Sequence, residues 1–127
     1  MVSVQTGIVI FAHGSSVATA NEAVRAVAEA AAEAGGFELA EVAFLEAQPS
    51  LSEAVARLVD GGASRILVVP YFLTLGIHLQ RDLPGMLAEL ARIHTRVELR
   101  ATAPLDGHPA LIQILLDRAR GALAAWT

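Results

Sequence analysis

The sequence predicts a single α/β domain over residues 1–127, in which a four-stranded, mainly parallel sheet is flanked by helices to give three layers. Short apolar, β-branched segments alternate with helix-forming segments in the order βαβαβαβα. This alternation is typical of parallel strands joined by right-handed helical crossovers, with helices on both faces of the sheet. A length of 127 residues suits one core and is too short for two independent ones.

The four strands are predicted from runs of apolar and β-branched residues. Residues 7–12 and 65–71 are nearly continuous apolar runs, as expected for strands buried on both faces. Pro70 cannot donate to a ladder, so it is expected where the third strand leaves the sheet. The other two strands are predicted over residues 37–45 and near residues 96–103.

The first two helices are predicted from propensity and from their ends. Residues 19–34 are rich in Ala and Glu, and Gly35-Gly36 follows as a helix-ending pair. The run Ser50-Leu51-Ser52-Glu53 has the pattern of a capping box, which predicts a helix through about Asp60. Gly61-Gly62 then ends it.

The last two helices frame the fourth strand. A loop of about ten residues follows the third strand and leads to a helix predicted near residues 82–93. Pro109 suits the first turn of a final amphipathic helix that reaches about Ala125.

Composition excludes several classes of function. Apolar residues make up 54% of the chain, which argues against disorder. There is no Cys and no Lys, so thiolate ligation of a metal, disulfides and Schiff-base chemistry on Lys are excluded. The net charge of -4 argues against nucleic acid as a partner. No apolar run is long enough for a membrane span, and residues 1–5 lack a basic leader, so we expect a cytoplasmic protein with no membrane partner.

Polar side chains that can handle metals and protons follow the predicted strands. His13 comes after the first strand, Glu46 after the second, His78 on the loop after the third, and Asp106 and His108 after the fourth. Ligands of open parallel sheets bind outside the carboxyl ends of the strands. Imidazole and carboxylate suit first-row divalent metals, and His titrates near neutral pH. The pattern therefore favours a metal or acid–base site at this edge, whereas His94 is expected at a helix C-terminus.

Other catalytic signatures are missing. His13-Gly14 follows Ala12, which stands where a phosphohistidine R-H-G motif requires Arg. Residues 14–18 do not form a nucleophile elbow. Neither dinucleotide-binding nor P-loop fingerprint is present, so no organic cofactor is expected.

Four segments give the chain a family resemblance. Residues 7–15 (GIVIFAHGS), the run Phe44-Leu45-Glu46 followed by Pro49, residues 69–84 (VPYFLTLGIHLQRDLP) and residues 104–109 (PLDGHP) occur in this order. Together they resemble the class II tetrapyrrole chelatases, and in particular the small sirohydrochlorin chelatases of the CbiX/SirB type. The resemblance covers nearly the whole chain, and the segment around His78 is its most specific part.

The resemblance implies an ATP-independent, lyase-class enzyme that inserts a divalent metal into a sirohydrochlorin-type tetrapyrrole in cobalamin or sirohaem biosynthesis. It implies that His13 and His78 bind the metal, with Co²⁺ first and Fe²⁺ or Ni²⁺ as alternatives. It also implies that His13 accepts a proton and that Glu46 faces the macrocycle and assists deprotonation. The substrate-contacting loop corresponds to Leu73, Thr74, Leu75, Gly76, Ile77 and His78.

Two departures from the family pattern concern the substrate. Ser16 stands where the family often has Arg, and Leu75 and Ile77 flank Gly76 where another small residue is common. Arg81 and Arg100 are candidate partners for the macrocycle's carboxylates, although solvent-exposed surface charge is the simpler interpretation of both.

The resemblance also implies a homodimer, because larger relatives carry two such units with the site in the cleft between them. Two other functions stay open. A metal-binding or metal-delivery protein would use the same histidines without catalysis. A flavodoxin-like interaction module would carry them incidentally.

Overall fold

A four-stranded, all-parallel sheet in the order β2-β1-β3-β4 forms the centre of the fold. The computed structural model describes residues 4–126, so the expectation about a leader falls partly on residues outside the described range. The strands and helices are β1 (Thr6–Ala12), α1 (Ala18–Gly35), β2 (Leu39–Phe44), α2 (Leu51–Asp60), β3 (Arg65–Pro70), α3 (Ile77–Ile93), β4 (Glu98–Ala101) and α4 (Ala110–Ala124). The predicted order and strand direction are confirmed.

Each face of the sheet has its own core. On one face, the buried side chains of β1 and β3 pack against α2 and α3, with Phe11, Val55 and Val68 fully enclosed. On the other face, Ile8, Ile10 and Phe44 pack with α1. Because β1 and β3 contribute to both cores, their sequences are almost uniformly apolar.

The predicted helix ends are confirmed for α1 and α2. Gly36 ends α1 in the left-handed conformation, with a φ of 69°. Ser50 caps α2 by accepting a hydrogen bond from the backbone N–H of Glu53, and the Glu53 carboxylate in turn accepts from the Ser50 hydroxyl.

Helix α3 begins earlier than predicted, at Ile77 rather than near residue 82. Gly76 is its N-cap, and the N–H of Gln80 donates to the carbonyl of Gly76 at 2.9 Å. The prediction that His78 lies on a loop is therefore wrong, since His78 is in the first helical turn. Pro84 lies inside the helix and its ring nitrogen has no hydrogen to donate, but the buried side chains of Leu79 and Leu83 hold this turn against the sheet.

Helix α4 differs from the other three because none of its residues is buried. Strand β4 is short, and its side chains are mostly exposed. Among the described residues, no helix combines the length and apolar character needed to cross a membrane.

Candidate functional site

Backbone hydrogen bonds hold the ends of β1 and β2 together and place two predicted site residues side by side. The N–H of Leu45 donates to the carbonyl of Ala12 at 2.9 Å, and the N–H of Glu46 donates to the carbonyl of His13 at 2.8 Å. These bonds continue the parallel ladder past the last strand residues. His13 and Glu46 therefore lie next to each other, just beyond the carboxyl ends of β1 and β2.

Their side chains meet at the carboxyl edge. Nε2 of His13 lies 3.6 Å from Oε2 of Glu46, and the two side chains are 58% and 66% exposed. Such exposure leaves room for a ligand to reach both groups. The structure thus brings together two of the three residues predicted to handle the metal and the protons.

A second contact orients the ring of His13. Nδ1 lies 3.0 Å from the carbonyl oxygen of Gly14. A carbonyl can only accept, so the neutral ring carries its hydrogen on Nδ1 and leaves the lone pair of Nε2 directed towards Glu46. Metal-binding histidines commonly donate their other N–H to a backbone carbonyl in this way, which fixes the tautomer.

Gly14 is needed for this turn on two counts. Its φ is +87°, in the left-handed region that side chains disfavour. A Cβ atom at this position would lie 3.0 Å from Cβ of Phe44 and 3.1 Å from Cβ of Ala47. The loop after β1 can therefore approach the loop after β2 closely only because residue 14 is glycine.

Asn21 holds the next part of the loop and was not singled out from the sequence. Its Oδ1 accepts from the N–H of Ser15 and its Nδ2 donates to the carbonyl of Ser15, both at 2.9 Å. The hydroxyl of Ser15 accepts from the N–H of Val17 at 3.0 Å. A lone Asn in the first turn of an Ala-rich helix, six residues after the Ser, was the available signal.

The loop after β3 is attached to the same edge. The N–H of Tyr71 donates to the carbonyl of Phe11 at 2.7 Å, and the rings of Phe11 and Phe72 meet edge to face with centroids 6.0 Å apart. Leu75 packs against the core, whereas Leu73 and Ile77 are 67% and 81% exposed.

Exposed apolar side chains therefore lie on the loops that follow β2 and β3 at the carboxyl edge of the sheet. Leu45 and Tyr71 are also exposed beside the ends of their strands. Large apolar side chains are ordinarily buried, and a group of exposed ones marks a surface that contacts an apolar ligand or a partner. An apolar border beside a polar centre suits a flat ligand with an apolar ring face.

His78 has a different environment from His13. A guanidinium nitrogen of Arg81 lies 3.1 Å from Nδ1 of His78. Arg can only donate, so the neutral ring of His78 carries its hydrogen on Nε2 in this arrangement. Binding a metal through either ring nitrogen requires Arg81 to release Nδ1. Arg81 also pairs with Asp82, with 3.4 Å between nitrogen and oxygen.

Within residues 4–126, no three His, Asp or Glu side chains come close enough together to hold a metal ion. The structure joins His13 with Glu46 and leaves His78 outside that pair.

The remaining histidines have structural contacts. Nδ1 of His108 accepts from the N–H of Ala110 at 3.0 Å, which satisfies a free donor at the start of α4. The N–H of Asp106 donates to the carbonyl of Leu73 at 2.7 Å, which ties the last turn to the loop after β3. His94 is the C-cap of α3, as predicted. Arg100 pairs with Glu98 on β4.

Comparison with known proteins identifies the family. The CbiX family model matches residues 7–122 of the chain. The chain belongs to the CbiX family. The family match covers β1, the end of β2 and the whole loop from β3 into α3, which are the segments that form the edge described above.

Individual CbiX-family relatives agree with this assignment. The sirohydrochlorin cobaltochelatase of Methanopyrus kandleri is 33% identical, and the match covers 91% of this chain and 96% of the relative. The crystal structure of a cobalamin biosynthesis CbiX protein from Marinobacter aquaeolei is 35% identical with a TM-score of 0.83, covering 94% and 98% of the two chains. These matches confirm the fold predicted from the sequence.

A structural neighbour with a longer chain matches this fold over part of its length. The sirohydrochlorin chelatase SirB of Bacillus subtilis subspecies spizizenii, solved in complex with cobalt, is 26% identical with a TM-score of 0.74. The match covers 80% of this chain but only 44% of SirB. The present fold thus corresponds to less than half of that enzyme.

Proposed function

We propose that this protein is a sirohydrochlorin chelatase that inserts a divalent metal into a sirohydrochlorin-type tetrapyrrole without ATP. The observation that carries the proposal is the His13–Glu46 pair, 3.6 Å apart on an exposed, apolar-bordered edge. Its family relatives are named for this reaction. The metal and the macrocycle are both substrates, and no organic cofactor is needed.

The chemistry of insertion suits these groups. When M²⁺ enters the macrocycle, two pyrrole N–H bonds break and two protons leave, while the metal exchanges its previous ligands for four ring nitrogens. Nε2 of His13 is free in the neutral tautomer and can hold the metal before transfer or accept a proton after it. The carboxylate of Glu46 stabilises positive charge at that nitrogen in either case.

The substrate loop supplies the rest of the proposed site. We assign Leu73, Thr74, Leu75, Gly76 and Ile77 to contact with the macrocycle, because exposed apolar side chains occupy the border of the edge next to β3. His78 is proposed as a second metal ligand, which it becomes once Arg81 releases Nδ1. The freed guanidinium of Arg81 is then available to a carboxylate of the macrocycle.

A loose metal site is appropriate for transfer. Structural metal sites with four protein ligands retain their ion, whereas a site with few ligands keeps positions open for exchange. The described residues offer no closed cluster, and the pair of His13 and Glu46 leaves most of the coordination sphere free. Cobalt is the first candidate metal, and iron and nickel are alternatives that suit the same ligands.

We propose that the working enzyme is a cytoplasmic homodimer. The edge that carries His13 is open, with both side chains of the pair more than half exposed, so a single chain covers only one side of a macrocycle. In SirB the matched unit makes up 44% of the chain, which leaves length for a second unit. A second copy of this chain would supply the opposite side.

The alternative function is metal binding or delivery without catalysis. The same two side chains could accept an ion with no macrocycle present, so the arrangement of the pair alone does not separate the two functions. Catalysis on the macrocycle separates them, because a delivery protein would bind Co²⁺ without accelerating its insertion. A flavodoxin-like interaction module would bind neither.

The test is incubation of the protein with sirohydrochlorin and Co²⁺, Fe²⁺ or Ni²⁺, followed by absorbance spectra of the macrocycle. We expect insertion faster than the spontaneous reaction, with the metals run singly and in competition to rank them. Acceleration by none of them, with Co²⁺ binding retained in calorimetry, would favour the delivery protein. Loss of both metal and macrocycle binding would favour the interaction module.

A further inference from the structure

One face of helix α1 binds both loops of the proposed site, the loop after β1 and the loop after β2. Asn21 binds the backbone of Ser15 in the first loop through two hydrogen bonds. A guanidinium nitrogen of Arg25 donates to the carbonyl of Gln48 in the second loop at 3.1 Å. Residues four apart lie on the same face of a helix, one turn from each other. A single helix therefore holds the two loops.

The guanidinium of Arg25 is itself fixed by its surroundings. Its central carbon lies 5.3 Å from the centroid of the Phe44 ring, which is a cation–π contact with a fully buried aromatic residue. Its Nε lies 3.6 Å from Oε1 of Glu22, on the preceding turn of the helix. The Arg25 side chain is only 36% exposed. These contacts hold the donor nitrogen over the loop after β2, so Arg25 is not an ordinary surface charge.

The loop that Arg25 binds carries Glu46. The N–H of Phe44 donates to the carbonyl of Pro49 at 2.8 Å and closes the loop at its base. The N–H of Glu46 donates to the carbonyl of His13, which fixes the amide on one side of this residue. On the other side the chain runs through one residue to the Gln48 carbonyl, where Arg25 donates. A shift at Gln48 therefore moves Glu46 relative to the histidine.

The pair of side chains cannot set its own geometry. His13 and Glu46 are both more than half exposed, and an exposed ion pair contributes little free energy. Their separation must therefore come from the backbone segments that carry them. Those segments are held from outside by α1, which packs on the sheet through Val24 and Ala28.

We propose that Arg25 is a positioning residue for Glu46, and that with Asn21 it sets the separation between Nε2 of His13 and Oε2 of Glu46. Asn21 fixes the loop on one side of the pair, and Arg25 fixes the loop on the other. The proposal rests on the proposed function, because it concerns how this pair is held for a metal ion and a proton. Arg25 acts through the carboxylate of Glu46 and does not act on the macrocycle.

Hydrogen exchange of single backbone amides tests the hold on the loop without metal or macrocycle. Arg25→Met keeps an apolar side chain beside the Phe44 ring and removes the donor to Gln48. We expect the Glu46 amide to exchange roughly tenfold faster or more, while the Tyr71 amide at the same edge is unchanged. An unchanged Glu46 amide, or equal acceleration of both amides, would overturn the proposal.

Co²⁺ affinity, measured by calorimetry, tests whether Arg25 acts through Glu46. We expect Arg25→Met to raise the Kd by roughly threefold or more in the unaltered chain, and by less than about twofold in Glu46→Gln. Loss of a positive charge alone would lower the Kd, so a rise cannot come from long-range charge. An unchanged or lowered Kd, or an equal rise in both backgrounds, would contradict the proposal.

Two further variants complete the comparison. Arg25→Lys keeps a cation and a donor and is expected to restore most of the Co²⁺ affinity and of the Glu46 amide protection; restoration of neither would count against the proposal. Arg92→Met removes an exposed arginine of α3 that pairs with Glu89, and is expected to raise neither quantity. A chain that does not accelerate metal insertion would lose the proposed function, while amide exchange would still decide the role of Arg25.

Discussion

Nε2 of His13 lies 3.6 Å from Oε2 of Glu46, while Nδ1 of the same ring is bound to the carbonyl of Gly14. In the neutral ring, a lone pair therefore faces a carboxylate with no hydrogen between them. This arrangement is stabilised by a single positive charge, which either a proton or a metal ion can supply. An enzyme that exchanges a metal ion for protons needs a group of this kind.

Glu46→Gln tests the charge of the pair while keeping its size. We expect insertion to slow by about a hundredfold or more, because the amide no longer stabilises positive charge at His13. The initial rate of Co²⁺ insertion is the measurement. Glu33→Gln removes an exposed carboxylate from α1, away from the edge, and is expected to leave the rate unchanged. Equal rates for the unaltered chain and Glu46→Gln would remove Glu46 from the site.

His78→Ala tests the second proposed ligand. We expect the Kd for Co²⁺ to rise by roughly tenfold or more, since even the loss of an outer-shell partner commonly costs 10–100-fold in metal affinity. Calorimetry with Co²⁺ measures this. His94→Ala is the matched control, because it removes an imidazole at the far end of the same helix. If both variants bound Co²⁺ as the unaltered chain does, His78 would not be a ligand.

Gly14→Ala tests the close approach of the two loops. The added Cβ meets Phe44 and Ala47 at about 3 Å in addition to adopting a positive φ. We expect a loss of about 2–4 kcal/mol in the free energy of unfolding, from strain and overpacking together. Gly62→Ala isolates the strain, since its φ is +101° but its Cβ would meet nothing within 4 Å. Urea unfolding compares the two, and equal losses would show that crowding at Gly14 is unimportant.

Asn21→Ala removes the side chain that binds the backbone of Ser15. Two hydrogen bonds are lost, so we expect about 1–2 kcal/mol of destabilisation. Insertion should also slow, because Ser15 follows directly after the His13-Gly14 turn. Glu29→Ala, on the exposed side of the same helix, is expected to change neither quantity. An Asn21→Ala variant of unaltered stability would show that these bonds contribute nothing net to the fold.

Much of the fold follows from local patterns that the structure retains. The uninterrupted apolar runs of β1 and β3 predict central strands, and the Ser50–Glu53 pair predicts the start of α2 because both hydrogen bonds are local. The start of α3 could not be predicted from such a local pattern. Gly76 caps the helix with no side-chain hydrogen bond, and Pro84 resembles a helix start although it lies inside the helix.

The site was predictable only in part, for reasons of distance along the chain. Placement after consecutive parallel strands brings His13 and Glu46 to one edge, which the alternation of elements already implied. The carbonyl of Gly14 determines which ring nitrogen of His13 is free, and Arg81 does the same for His78. Both contacts depend on the exact loop conformation. The two hydrogen bonds between the Asn21 side chain and the backbone of Ser15 depend on the loop conformation as well. The isolation of α4 depends on packing, which amphipathic spacing cannot reveal.

The rate of Co²⁺ insertion into sirohydrochlorin by the unaltered chain and by His13→Ala tests the central claim most directly. Both proteins are first shown to have the same oligomeric state and the same unfolding transition. We predict that the unaltered chain accelerates insertion well above the spontaneous rate and that His13→Ala loses most of this acceleration. Insertion by His13→Ala at the full rate, with normal metal occupancy, would contradict the account.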